Sequence, residues 1–596
     1  MSVLDRIERL RNVMEQQKID CYIIPTDDYH HSEYVGDYFK FREYITGFTG
    51  SAGTAVFTKD KAGLWTDGRY FIQAEAQLKG SGITLYKSGE SDVPTIEEFL
   101  KSELKEGDVL GFDGRTVTYA QGKRYCHIAD ENGASLKYSL DFAQNIWKER
   151  PEMSMEPVFS LEDEYTGEKI GSKLERIREI MKENGCNAHV LSSLDDIAWL
   201  LNIRGNDIAY CPLVLSYAIV YNNSVELFAD IRKFSDDIIN LLAENQVKIY
   251  PYEDIYRKVS EMTSEDKLLL DSSIMNYSLY QSISKETVIV DKQNPEILMK
   301  SVKNETQAEN LRKAHLKDAV AHTKFMYWLK KNIGREEITE LSASARLEGL
   351  RAEQEHFLGP SFGPISAYGE HGAIVHYSAD EKSNVPLKEG KLFMTDTGGH
   401  YLEGSTDITR TVALGEVGNI EKEHFTLVAR AMLRLANTVF LYGCSGANLD
   451  CIAREVFWKE GLNFNHGTGH GVGYLLNIHE GPINFRWKEG ERPAPALEEN
   501  MVITDEPGIY IEGSHGIRLE NELLVRKTVK NEYGQFMNFE ILTYVPIDLD
   551  AILPEKMSTE EKEMLNHYHK QVYEKVSPYL SEEERIWLKE YTRAVK

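Results

Sequence analysis

A helix-then-strand pattern occurs twice in the first third of the chain, and that recurrence limits the fold more than any other feature. LDRIERLRNVMEQQKIDCYII (residues 4–24) sets Leu4, Ile7, Leu10 and Met14 three or four apart, one apolar stripe of a helix, then runs into an apolar strand. LERIREIMKENGCNAHVL (174–191) repeats the order, and DD…YITGFTG (27–50) has a counterpart in DDIAWLLNIRG (195–205). Two related α/β domains are expected, over residues 1–155 and 156–300. A chain of 596 residues exceeds one core, so a third domain is expected over 301–596. It opens with a helical pattern at 305–332 and turns strand-like after 390. It closes with helices whose Ser558/Glu561 and Ser581/Glu584 spacings fit capping boxes.

Charge narrows the partners. The net charge of −27 repels phosphate backbones, so nucleic acid is not an expected partner. An acidic surface suits substrates with a free ammonium group. Six cysteines at 21, 126, 186, 211, 444 and 451 form no CxxC pair, which reads as reduced thiols. The opening MSVLDRIERLRNVMEQQKID lacks the apolar core of a signal peptide. The most apolar stretch, CPLVLSYAIVY (211–221), is too short to span a membrane and reads as a buried strand. A cytoplasmic protein without a membrane partner is expected.

Chemistry concentrates in three stretches. In KLFMTDTGGHYLEGSTDITRTVAL (391–414), Asp396 ends an apolar run, Gly398 and Gly399 turn the chain, and Asp407 begins the next strand. A hairpin-like return brings both carboxylates to one place, although either alone reads as a turn aspartate. In MVITDEPGIYIEGSHGIRLENELLV (501–525), Pro507 forces Glu506 out of helical geometry. Arg518 and Glu520, two apart in a strand, face the same way; the plain alternative is an exposed edge strand with a surface ion pair. In NHGTGHGVGYLLNIHEGP (465–482), His466 and His470 are four apart, but Gly467, Gly469, Gly471 and Gly473 disfavour a helix. The run reads as a loop or irregular strand to which other backbone comes close. Together Asp396, Asp407, His470, Glu506 and Glu520 make four carboxylates and one imidazole. Oxygen donors favour manganese, magnesium or calcium, and the histidine tilts the set toward a transition metal. Two ions sharing bridging carboxylates balance that much charge.

The order D…D…H…E…E, with the aspartates eleven apart and the glutamates fourteen apart, resembles the pita-bread metallopeptidases. DGRYF (67–71), GFTGSAGTA (47–55), LDDIAWLLNIRG (194–205), IVHYS (374–378), DITRT (407–411), HGTGHGVG (466–473), HEGP (479–482) and GIRLENE (516–522) narrow the likeness. Together they resemble the cytosolic three-domain Xaa-Pro aminopeptidases, or aminopeptidases P, over nearly the whole chain. The resemblance implies an α/β (α+β) protein: two creatinase-type N-terminal domains and a C-terminal pita-bread catalytic domain. It implies a homodimer that removes the first residue of peptides with proline second. It also implies two divalent ions, for which manganese fits best, with zinc or cobalt as alternatives. On these positions Asp396 binds one metal, Asp407 and Glu520 bridge both, and His470 and Glu506 complete the other. Glu506, His376 and His479 serve catalysis, and His376, His466, His479, Tyr510 and Arg518 line the substrate site. Tyr-Ser-Ala follows His376 where the family pattern has Tyr-Ala-Pro. His371 matches no family role and reads as a surface loop histidine. Trp65 and Arg69 are either scaffold or residues that reach a partner subunit's site. Two other functions stay open: a prolidase, limited to Xaa-Pro dipeptides, and an inactive peptide-binding module on the same scaffold. The doubled N-terminal domain argues against the first and the full ligand set against the second.

Overall fold

The computed structural model describes residues 1–488 and 493–596. They form two compact units. One comprises Met1–Leu161 with Glu168–Glu296, the other Glu162–Gly167 with Ile297–Lys596.

The first unit holds the repeated pattern. Helix α1 (Val3–Gln17) starts at a capping box between Ser2 and Asp5 and buries Ile7, Leu10 and Met14. Leu4, though on the expected stripe, is 57% exposed. Six strands follow: β1 (Cys21–Pro25), β2 (Thr54–Thr58), β3 (Ala62–Thr66), β4 (Thr84–Lys87), β5 (Val109–Phe112) and β6 (Ser135–Lys137). They lie in the order β4-β3-β2-β1-β5-β6. Helix α2 (Ile170–Glu183) opens the second set: β7 (Ala188–Leu191), β8 (Tyr217–Tyr221), β9 (Val225–Phe228), β10 (Val247–Tyr250), β11 (Lys267–Leu270) and β12 (Val288–Asp291). Their order is β10-β9-β8-β7-β11-β12, the same arrangement six strands on. Polarity repeats too: β1 pairs antiparallel with β2 and parallel with β5, as β7 does with β8 and β11. Even the helix exits match. The Ile19 N–H donates to Met14 O and the Cys186 N–H to Met181 O, each at 2.8 Å. Lys18 takes the left-handed conformation that Gly185 takes in the copy.

Trp65 belongs to this unit's core, in line with the scaffold alternative of the two left open by the sequence. It is 4% exposed, donates from Nε1 to Pro94 O at 2.7 Å and stacks on Tyr86 at 4.1 Å. The Arg69 guanidinium donates twice to Asp67, at 2.8 Å each. The six cysteines are free. Among the described residues no helix is long and apolar enough to cross a membrane.

The second unit opens on helix α3 (Glu305–Asn332), capped by Asn304 with Gln307, and α4 (Glu340–Ala352), capped by Thr339. Three short strands, β13 (Phe357–Pro360), β16 (Gly399–Tyr401) and β17 (Gly404–Ser405), make one sheet. β14 (Ile365–Tyr368), β15 (Lys391–Thr397) and β18 (Ile408–Leu414) make another. Helices α5 (Asn419–Ala436) and α6 (Gly446–Trp458) follow. The largest sheet runs β19-β26-β25-β22-β20-β21: β19 (Phe440–Leu441), β20 (Gly469–Gly471), β21 (Glu480–Phe485), β22 (Val502–Asp505), β25 (Asn521–Asn531) and β26 (Gly534–Ile541). The pair β23 (Gly508–Ile511) and β24 (His515–Arg518) completes the strands. The chain ends in α7 (Thr559–Val576) and α8 (Glu582–Tyr591), each begun by the expected serine–glutamate capping box.

Candidate metal centre

Strand pairing gathers the acidic side chains. β15 and β18 run antiparallel with Asp396 opposite Thr409. The chain between them goes out through β16 and β17 and returns Asp407 beside Asp396, the return expected from the sequence. The Asp407 N–H donates to Glu522 Oε1 at 2.6 Å. Glu506 leaves the end of β22 at Pro507, and its N–H donates to Thr468 O at 2.8 Å. That bond ties it to the glycine-rich strand. A Cβ at Gly469 would lie 1.9 Å from Thr504 O, so only glycine admits this approach. Glu520 sits between β24 and β25, its N–H on Thr409 O at 3.1 Å and its Oε2 accepting from Thr409 Oγ1 at 2.7 Å. Arg518 and Glu520 therefore flank a strand junction rather than share one strand. Each is 1% exposed, which rules out the exposed edge strand.

Three overlapping groups result. One donor atom from each of Asp396, Asp407 and Glu520 lies within 4.8 Å of the others. The same holds for His470, Glu506 and Glu520, and for Asp407, His470 and His479. All five residues expected as ligands are thus brought together, and His479 joins them. His470 Nε2 is 3.6 Å from Asp407 Oδ2 and 3.7 Å from Glu506 Oε1. Those gaps are too long for hydrogen bonds, yet they suit two donors on one ion with bonds of about 2.1 Å. His470 Nδ1 faces Gly471 O at 2.9 Å, which directs the lone pair of Nε2 toward the carboxylates. Asp396 Oδ1 is buried without a hydrogen-bond partner.

Electrostatics demands a cation here. Loss of hydration pushes the Asp407 carboxyl well above the usual range, and repulsion from Glu520, Asp396 and Glu506 adds to it. Glu520 is raised in the same way, by burial first and then by Asp396 and Glu506. Glu506 is pushed up to about 7, mainly by burial. Buried acids that repel one another protonate or take up a metal. The donor types, their spacing and the orphaned oxygen all fit a divalent ion.

The surrounding groups are ordered by one another. Arg518 donates from Nε to Asp396 Oδ2 at 3.1 Å, from Nη1 to Tyr510 Oη at 2.7 Å and from Nη2 to Val375 O at 3.3 Å. It holds a candidate ligand, and those donors are spent inside the fold rather than on a substrate carboxylate. Tyr510 Oη lies 2.8 Å from His466 Nε2, while His466 Nδ1 faces Gly467 O at 2.7 Å. The Tyr510 hydroxyl is pushed up to about 12 by burial, so it stays protonated. The His479 ring meets His470 edge to face at 4.3 Å. His376 is half-buried and directly follows Val375, whose carbonyl Arg518 holds. His371 is not the surface loop histidine expected. Its Nδ1 is 2.8 Å from Glu340 Oε1, and that bond raises its pKa.

Several supporting residues escape the sequence reading. Glu522 Oε2 lies 3.1 Å from His315 Nε2, with both side chains fully buried. Lys303 pairs with Glu480, the neighbour of His479. The Arg454 guanidinium donates to Phe464 O at 2.9 Å and to His466 O at 2.6 Å, bracing the glycine-rich run. Thr409, inside a motif already noted, is the one with a visible signal.

Comparison with known proteins agrees with this geometry. Residues 6–137 and 149–307 match the creatinase/prolidase N-terminal domain. Residues 309–527 match metallopeptidase family M24, and 535–595 the C-terminal region of that peptidase family. Aminopeptidase P1 of Arabidopsis thaliana is 34% identical, with 99% of each chain covered. Xaa-Pro aminopeptidase 1 of Dictyostelium discoideum is 36% identical over 97% of this chain and 94% of that one. The crystal structure of the X-prolyl aminopeptidase of Caenorhabditis elegans superposes with a TM-score of 0.95 at 33% identity, covering 100% of both chains. That protein is described as a cytosolic enzyme with a di-nuclear active site.

Proposed function

The chain belongs to the Xaa-Pro aminopeptidases of metallopeptidase family M24 and is a metal-dependent aminopeptidase; from that premise we propose that it cuts the bond before a proline in second position, using two divalent ions. The observation that carries the reading is the overlap of the donor groups. Asp407, Glu520 and His470 each belong to two of them, and of these only the carboxylates of Asp407 and Glu520 have two oxygens with which they could hold two ions. Asp396 would complete one ion's set, and His470 with Glu506 the other's. Manganese fits four carboxylates and an imidazole best. Bound there, the metal supplies Lewis acidity that ionises water near neutral pH and polarises a carbonyl.

The protein's own groups do the rest. Glu506 takes a proton from the attacking water and passes it to the proline nitrogen as the C–N bond breaks. His376 and His479 steady the developing oxyanion as hydrogen-bond donors. The net charge of −27 favours the approach of a substrate with a free ammonium group, and an ammonium seated beside the ligand carboxylates would fix which bond is reached. The proline nitrogen carries no N–H, so the site places no acceptor demand on it. Arg518 fixes Asp396 and, through Tyr510, His466. A cytosolic location is extended from the description of the related nematode enzyme, and homodimerisation rests on the family resemblance alone.

The test compares Xaa-Pro-Xaa tripeptides with Xaa-Pro dipeptides in manganese-loaded, chelated and reloaded protein. Tripeptide cleavage lost on chelation and restored by manganese is expected. Cleavage of dipeptides alone would replace this reading with a prolidase. No cleavage by fully loaded protein would leave a binding module.

A further inference from the structure

Glu340, the first residue of α4, carries a fully buried carboxylate beyond the ligand groups. Its Oε1 accepts from the Tyr368 N–H and from His371 Nδ1, each at 2.8 Å. Its Oε2 accepts from Tyr377 Oη at 2.9 Å and from the Val385 N–H at 3.4 Å. All four donors lie on one stretch, 368–385, and His376 lies between them. The backbone repeats the grip: the Glu340 N–H donates to Val385 O at 3.2 Å and the Leu341 N–H to Asn384 Oδ1 at 3.1 Å. The His371 ring stacks on Tyr377, with centroids 4.5 Å apart.

The inner side of the stretch is seated as closely. A Cβ at Gly516 in β24 would lie 1.6 Å from Gly372 O, so the two backbones touch. Two residues later in β24, Arg518 holds Val375 O. The segment that presents His376 is thus clamped between α4 and the strand that also supplies the guanidinium on Asp396. A carboxylate in the first turn of a helix is stabilised by the helix dipole, which suits an acceptor of four bonds. The structural demand on Glu340 exceeds helix capping, because Thr339 already supplies the cap.

We propose that Glu340, through His371 and Tyr377, is a positioning residue that sets the reach of His376 toward the scissile carbonyl. The inference rests on the reading above that His376 acts on substrate. Misplacing a reacting or stabilising group by about 1 Å costs up to about a hundredfold in rate. Glu340→Ala should therefore lower kcat on an Xaa-Pro-Xaa tripeptide by about tenfold to a hundredfold, with KM and manganese content little changed. Glu340→Gln keeps the shape but turns one acceptor into a donor, and should cost about threefold to tenfold. His371→Phe keeps the stack and loses one bond, and should cost about threefold.

The deciding measurement is a double-mutant cycle in the full-length, manganese-loaded protein, using His376→Ala and each Glu340 variant. If Glu340 acts through His376, adding its substitution to His376→Ala lowers kcat no further. Full multiplication of the two effects would overturn the proposal, as would an unchanged kcat in Glu340→Gln and His371→Phe. If His376→Ala alone turns over normally, the reading of His376 fails and takes this inference with it. Should Glu340→Ala not fold, Glu340→Gln and His371→Phe carry the same cycle.

Discussion

Two groups of buried charge, one in each compact unit, are handled in opposite ways. The group in the first unit is a set of ion pairs. Lys233 meets Asp207, with side chains 2% and 0% exposed, and His189 meets Glu296 at 3.2 Å. Asp113 and Asp141 share Arg115, and Asp141 also takes Arg150. In the second unit the carboxylates of Asp396, Asp407, Glu506 and Glu520 crowd together in overlapping groups, and Arg518 pairs with Asp396. A matched interior is complete as folded. An unmatched one is a request for a cation, and the burial that makes the site costly without metal makes it strong with metal.

Breaking each kind of interior should give different losses. Asp407→Ala removes a donor common to two groups, so turnover should fall by about a thousandfold or more and metal content should fall with it. Mass spectrometric metal analysis beside peptide assays checks this, and full activity with metal retained would refute the site. Lys233→Met should do the reverse. It strands Asp207 and should cost about 3–5 kcal/mol of stability in denaturant unfolding. Bound metal per folded molecule should be unchanged. Thr409→Val gives a smaller effect inside the acidic cluster. It keeps the shape but removes the hydroxyl that donates to Glu520 Oε2 at 2.7 Å, and should weaken manganese binding by about tenfold in a titration. An unchanged affinity would mean that Glu520 is held by its backbone alone.

The letters show these two interiors unequally. The repeated helix and strand of the first unit are legible because each is local: a 3.6-residue stripe, then an apolar run. Periodicity gives the angle of a buried face and not its length, so Leu4 falls on the stripe although the cover ends at Ile7. The five candidate ligands are legible only as a set: each alone has a plain structural reading, but four carboxylates and an imidazole in that order and spacing fit a metal site. Their supports are not. Glu522 looks like one more polar residue of a strand, and its bond from the Asp407 amide and its contact with His315 span more than a hundred and more than two hundred residues. His371 looks superficial because its partner, Glu340, lies 31 residues upstream on another element. Long-range polar pairing leaves no periodic mark, so such residues emerge only once strands are in register.

The smallest expected effect is also the sharpest contrast, because it concerns sign. Glu506 is raised from an ordinary 4.5 to about 7, and Asp407 and Glu520 are raised as well. A carboxyl raised by folding stabilises the protein fully below its unfolded pKa and loses that contribution as pH rises through the folded value. Metal-free protein should therefore lose stability from Glu506 between about pH 4.5 and 7, and Asp407 and Glu520, raised in the same direction, add to the loss as they ionise. With metal bound the same carboxylates must be deprotonated, so the metal-loaded protein gains where the metal-free protein loses. The drop in Tm on chelation should be greater at pH 8 than at pH 5.5, by about 3 °C or more. Differential scanning of chelated and manganese-loaded samples at both pH values measures it directly. Taking the difference at each pH cancels the matched pairs of the first unit, which titrate alike with and without metal. An equal drop at both pH values would mean that the cluster is not the acidic, proton-exchanging site described, and the contrast between the two interiors would fail.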